Sequence, residues 1–261
     1  MYIALLIVIS VFLILNFGKT KVNIKAPHLL SAKETSSFLE NDLDNFVNSL
    51  NKINLTARNS KTPQEYIRYI SRKTLDFTER EKKVLVNTYY NAFNILLANQ
   101  NSLILNNYGI NRDKLKELFN SHNIRFALTS DKNYEYGMPH TRENVIFLST
   151  FYLNKYINFP SKITRTIIHE IIHIYQRYYR DSYNKHLMSK GWSLTQTNEY
   201  PKKRSNPDLD SRIWKRKDKL YLVEFKDNPK HLEDIIAMDS SSRNEHPYEY
   251  YSYKISHLFI F

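Results

Sequence analysis

The chain has 261 residues, of which 42% are hydrophobic and 25% charged, and it contains no cysteine. These values exclude a disordered chain, a collagen and a polytopic membrane protein, and they leave room for one large domain or two small ones. The net charge of +12 suits an anionic partner without selecting one, whereas the missing cysteine forces any metal onto His, Asp or Glu.

Residues 2–17 form an apolar run in which only Ser10 and Asn16 are clearly polar. A spanning helix needs about 20 apolar residues, with a lower limit near 17. Lys19, Lys21 and Lys25 follow the run, the reverse of the charge order in a cleavable signal peptide. The expectation is a single transmembrane anchor over residues 1–18 and a linker over 19–30. The lysines place the remainder on the cytoplasmic side of the membrane.

Residues 31–120 read as a helical subregion. Ser31 or Thr35 can cap a first helix whose apolar set runs from Phe38 through Leu43, Phe46 and Val47 to Leu50. Thr62-Pro63 starts a second helix in cap-then-proline order. A longer helix begins near Thr78 with Glu79 and Glu81 in its first turn, and a short one covers 112–119. Asn54-Leu55-Thr56 matches a glycosylation sequon, which matters only on a luminal side.

Over residues 121–261 the pattern changes. Strands are expected over 124–128 and 145–149, with a turn-rich stretch holding Gly137, Pro139 and His140 between them. A helix follows from Ser161 or Lys162 to Arg180. Beyond it lies an irregular basic stretch with Lys202, Lys203, Arg204, Arg212, Lys215, Arg216, Lys217 and Lys219. A strand is expected over 220–225 and a last helix with Pro247 in its first turn, capped by His246 or Asn244. The fold class is α+β, with helices first.

Residues 166–177 read TIIHEIIHIYQR and contain His169-Glu170-Ile171-Ile172-His173, the H-E-x-x-H pattern. Two histidines four apart on a helix share one face, so both imidazoles can reach one ion. Glu170 is offset by about 100° and can stand beside that ion without ligating it. A zinc ion held there lowers the pKa of its water to about 7.

With these residues the chain resembles the zincin metallopeptidases, over residues 140–180 and a C-terminal stretch. The resemblance implies a Zn2+ site with His169 and His173 as ligands and Glu170 as the catalytic base. It implies a zincin-like catalytic domain over 31–261, with its core over 121–261. It also implies that the 145–149 strand is the edge that pairs with an extended substrate.

A catalytic zinc needs a third protein ligand. Gln176 and Tyr179 stand where the metzincin pattern has Gly and His, which excludes that class. His186 is the candidate under an SprT-type reading, and Glu199 is a further option. Pro247-Tyr248-Glu249-Tyr250-Tyr251-Ser252 looks like the small gluzincin pattern P-x-E-x-x-small, which makes Glu249 the preferred ligand, with Glu245 the second. Tyr253, one turn beyond Glu249, is the leading candidate to stabilise the oxyanion, with His246 and His140 as others.

The expected function is a membrane-anchored zinc metallopeptidase acting on peptide or protein substrates, with no nucleic-acid partner. The alternatives are a catalytically inactive zincin-fold binding module and a nucleic-acid-associated SprT-like protease.

Overall fold

The computed structural model describes residues 25–195, 200–236 and 246–259. The expected anchor over 1–18 lies outside them, and no helix among the described residues is long and apolar enough to cross a membrane.

The first strand, His28–Leu29 (β1), falls inside the segment read as a linker and pairs in parallel with Arg125 and Phe126. Ser31 then caps Ala32–Asn41 (α1) through a reciprocal capping box with Glu34. This helix stops short of its expected end near Leu50. Asp42 adopts a left-handed backbone with φ 41°, and its carboxylate accepts the amides of Val47 and Asn48. The chain therefore turns, leaving Leu43 80% exposed while Val47 and Leu50 are buried.

Three helical or extended pieces follow: Lys52–Thr56 (α2), Pro63–Ser71 (α3) and the short strand Thr74–Leu75 (β2). Thr62 caps α3 ahead of Pro63, as the cap-then-proline order predicts. Thr78 and Glu81 form the capping box of Glu79–Leu97 (α4). Ser102–Asn107 (α5) and Arg112–Ser121 (α6) complete the helical region.

Arg125–Thr129 (β3), His140–Arg142 (β4) and Val145–Ser149 (β5) form the main sheet with β1 and β2. The order is β1-β3-β5-β4, with β2 antiparallel to β3. β5 thus runs in parallel beside β3 and antiparallel beside β4. The expectation that residues 145–149 form the exposed edge is therefore corrected. That strand is interior, and the edge on this side is β4.

The physical reason lies in the strand's own composition. Every residue of VIFLS is buried. Val145 and Phe147 pack with Leu39, Tyr66 and Ile70 from the N-terminal helices. Ile146 and Leu148 pack with Leu85, Phe93, Ile167 and Ile171 on the opposite face. A strand covered on both faces reads as a continuous apolar run rather than an alternation. The helical subregion thus packs on both faces of the sheet and contributes to both core clusters.

Thr150–Tyr156 (α7) leads into Pro160–Tyr178 (α8), with Pro160 in its first turn. Ile163, Ile167, Ile168, Ile171, Ile172 and Ile174 are all buried in α8. Six β-branched residues cost about 0.4 kcal/mol each in helix propensity. Burying each side chain contributes about 1.5–3 kcal/mol, so packing decides the helix. Tyr179, with φ −110° and ψ 35°, breaks the run, and Arg180–Ser189 (α9) follows where irregular chain was expected. A second, three-stranded antiparallel sheet joins Trp192–Leu194 (β6), Trp214–Arg216 (β7) and Lys219–Tyr221 (β8). Pro247–Leu258 (α10) closes the fold against α8, capped by His246.

Arg142 of β4 is fully buried and ties the N-terminal helices to the sheet edge. Its guanidinium pairs with Asp42 and Asp44 and donates to the Tyr134 hydroxyl. Burial pushes the Asp44 carboxyl up, but Arg142 outweighs it and holds that group below its usual range. Removing one partner of a buried ion cluster leaves the others uncompensated, at a cost of about 3–5 kcal/mol. Arg142→Ala is expected to lose that much in urea unfolding. A change below 1 kcal/mol would contradict the clamp.

Candidate metal centre

Helix α8 places His169 and His173 one turn apart on one face, and the first turn of α10 brings Glu249 against them. The two Nε2 atoms lie 3.0 Å apart. Glu249 Oε1 is 3.2 Å from His169 Nε2, and Oε2 is 3.2 Å from His173 Nε2. Ligands of a tetrahedral zinc at about 2.0–2.1 Å stand about 3.3 Å from one another, so the two ring nitrogens, and each nitrogen with the carboxylate oxygen nearest it, already sit within a few tenths of an ångström of that spacing. These residues could hold one ion, and their two nitrogens and one carboxylate suit zinc.

The hydrogen bond behind His173 fixes which nitrogen of that ring is bare when it is neutral. His173 Nδ1 donates to Gln176 Oε1 at 2.9 Å, because the amide oxygen can only accept. Nε2 of His173 therefore carries a lone pair towards Nε2 of His169. At 3.0 Å that lone pair can accept a hydrogen carried by Nε2 of His169, or both nitrogens can face one metal ion. The charge balance agrees. Burial works against charging His169, but the Glu249 carboxylate outweighs it and pushes the imidazole up to about 9. Burial likewise works against ionising Glu249, and the two histidines reverse it, holding that carboxyl well below its ordinary range.

Gln176 was visible in the sequence only as the residue that excludes the metzincin pattern. In the fold it is fully buried, and its Nε2 donates to the Tyr183 hydroxyl and to the Tyr248 carbonyl, both at 3.1 Å. One side chain thus links α8, α9 and α10 behind His173. Ser252, the small residue of the C-terminal pattern, is buried beside it, with Oγ 3.4 Å from Gln176 Oε1. The signal for Gln176 was its spacing, three residues beyond His173 on the buried face. Partners of this kind typically change metal affinity about 10–100-fold. Gln176→Leu is expected to weaken zinc binding by that factor in a competition titration, and unchanged affinity would remove its orienting role.

Glu170 is 2% exposed, and its Oε2 has no hydrogen-bond partner. Burial raises its carboxyl well above the ordinary range, and the carboxylates of Asp208 and Glu249 add to the rise against an opposing His169. It lies outside the three-residue donor cluster. A raised carboxyl beside a metal site has the affinity for a proton that a general base needs.

Two of the three donors, His169 and Glu249, border a cleft of about 210 Å³ whose wall also includes His140, Met138, Arg204 and Asp208. The rim at Glu135, Tyr136 and Gly137 is left-handed throughout, with φ 43°, 58° and 72°. Arg58 holds it by a bidentate pair to Glu135 at 2.8 and 2.7 Å, joined by the Tyr66 hydroxyl. A larger cavity of about 740 Å³ contains none of the donors and shares residues 204–207 with the cleft as a common wall.

The remaining candidates separate clearly. Tyr253 is 39% exposed, stacks on His257 at 3.9 Å and does not line the cleft, so its expected oxyanion role is not carried by the geometry. His246 accepts the Tyr248 amide and donates to Asp210, which makes it a helix cap. His140 does line the cleft, but its Nδ1 donates to the Met138 carbonyl at 2.9 Å, which leaves an acceptor at Nε2 rather than a donor. Arg204, in the basic stretch, is the guanidinium in the cleft wall. His186 packs near Tyr251, away from the donor cluster. Glu245 and Glu199 lie outside the described residues.

Comparison with protein-family models, curated proteins and solved structures gave no match to this chain.

Proposed function

We propose that the protein is a zinc-dependent peptidase of zincin type, with a third ligand of the gluzincin kind. One observation carries the reading: His169, His173 and Glu249 converge within 4.8 Å, and the neighbouring Glu170 is buried with its Oε2 unpartnered. When bound, zinc supplies polarisation of the scissile carbonyl and acidifies the attacking water. His169, His173 and Glu249 hold the ion, and Gln176 keeps His173 in the required tautomer. Glu170 takes the proton that water loses as its oxygen bonds to the carbonyl carbon. It delivers that proton to the nitrogen as the C–N bond breaks, leaving a carboxylic acid and an amine. Arg204 adds positive charge in the cleft wall.

The apolar run over 2–17 and the lysines after it support a single-pass anchor, with the catalytic domain on the cytoplasmic side. The function is tested by loading the purified chain with zinc and digesting a broad peptide library. Cleavage dependent on zinc and on Glu170 supports a peptidase. One zinc per chain with no cleavage would support the binding module instead.

A further inference from the structure

The basic stretch after the catalytic helix has no role in the hydrolytic reading, yet its first part crosses the cleft. We propose that residues 203–208 are an intramolecular plug, seated in the strand site where an extended polypeptide substrate must pair with β4. The inference rests on the peptidase reading and specifies how that site is regulated.

The argument starts at the sheet edge. β4 has three residues, and Thr141 sits opposite Ile146 of β5. In an antiparallel pair, alternate residues turn both backbone groups away from the partner strand, and Thr141 is such a residue. Its N–H and C=O are what an added substrate strand would take. Both are occupied. The Thr141 amide donates to Asp208 Oδ1 at 2.5 Å, and the Thr141 hydroxyl donates to the same oxygen at 2.9 Å. The Thr141 carbonyl accepts from Arg177 Nη2 at 3.3 Å, and that nitrogen also donates to the Pro207 carbonyl at 3.1 Å. Arg177 thus clamps the sheet edge and the crossing segment together.

The segment's own backbone is read the way a bound peptide's would be. Asn54 donates to the Lys203 carbonyl at 2.9 Å and accepts the Ser205 amide at 2.7 Å. Arg58 donates to the Ser205 carbonyl at 3.0 Å. On its other side the segment pairs by backbone with 223–225, through the Lys203–Glu224 bridge and the Arg204 amide on the Val223 carbonyl, but it adds no ladder to the main sheet, so it can leave with those residues without breaking the core strands. Residues 204–208 share the cleft wall with His169 and Glu249, which puts the plug in the same cleft as two of the proposed metal ligands.

The test uses the full chain, which has no cysteine of its own. Asn54→Cys with Ser205→Cys replaces one pin by a reversible covalent lock. The zinc-loaded double variant is assayed on reduced, alkylated insulin B chain, first oxidised and then opened with a phosphine reductant. The expected result is cleavage at least about tenfold slower in the locked form, with zinc content equal in both. Equal rates would overturn the plug and leave the peptidase reading standing. Failure of the two thiols to pair would contradict the contact itself. As a second readout, hydrogen exchange at the Ser205 amide should quicken when the same polypeptide binds zinc-loaded Glu170→Gln, and slower or unchanged exchange would overturn the displacement. Zinc uptake by the natural chain with neither binding nor cleavage of the polypeptide would instead overturn the underlying reading.

Discussion

Glu170→Gln is expected to retain zinc and to lower kcat/KM on a cleaved peptide by about 10²–10⁴-fold, the usual contribution of a general base. That range corresponds to about 3–5 kcal/mol of transition-state stabilisation. The substitution preserves shape and removes only the capacity to take a proton. Glu170 is not one of the three converging donors, so affinity for the metal should hold. Its effect on stability has a defined sign. A carboxyl whose folded pKa is raised weakens the fold at pH values above its ordinary pKa of 4.5, because burial opposes its charge. Glutamine has no such charge, so the variant should unfold at a temperature no lower than the natural chain. A variant that keeps zinc and full activity would exclude Glu170 as the base.

The second large effect concerns the metal. Zinc at 1,000 times its dissociation constant stabilises the native state by about 4 kcal/mol. For a chain of this size that is a rise of about 8–16 °C in Tm, at about 2–4 °C per kcal/mol. Chelation should reverse it. In Glu249→Ala most of this zinc-induced shift should disappear, because two histidines alone leave the site one ligand short. In His173→Ala it should disappear together with the Gln176 contact that orients the ring. A Glu249→Ala protein that responds to zinc like the natural chain would move the third ligand elsewhere, with Glu245 the first alternative to try.

Much of this site could be read before the fold was known, for identifiable reasons. The i, i+4 spacing of His169 and His173 is a property of one helix, and Glu249 announces itself through Pro247 and the small Ser252. Local patterns of this kind survive any tertiary arrangement. What escaped depended on distant pairings. Asn54 meets Lys203 across 149 positions, and Thr141 meets Asp208 across 67, so no local pattern carries the plug. Gln176 has a telling spacing, but its partners Tyr183 and Tyr248 reach it only when α9 and α10 close over it. Tyr253 found a partner that no local pattern announces. Four residues advance a helix by about 6 Å, and there its ring stacks on His257. The interior position of β5 was legible in principle, since an unbroken apolar VIFLS signals two covered faces, but an edge role was assigned through family resemblance instead. α9 was missed because its residues, from Arg180 to Ser189, are largely polar and give a weak helical pattern.

X-ray absorption at the zinc edge on the metal-loaded chain examines the central claim directly. The expected spectrum is one zinc per chain, with two imidazole nitrogens and carboxylate or water oxygens at about 2.0–2.1 Å, and with the imidazole signal reduced in His169→Ala. A chain that takes up no zinc, or whose zinc spectrum is unchanged by His169→Ala, would contradict it.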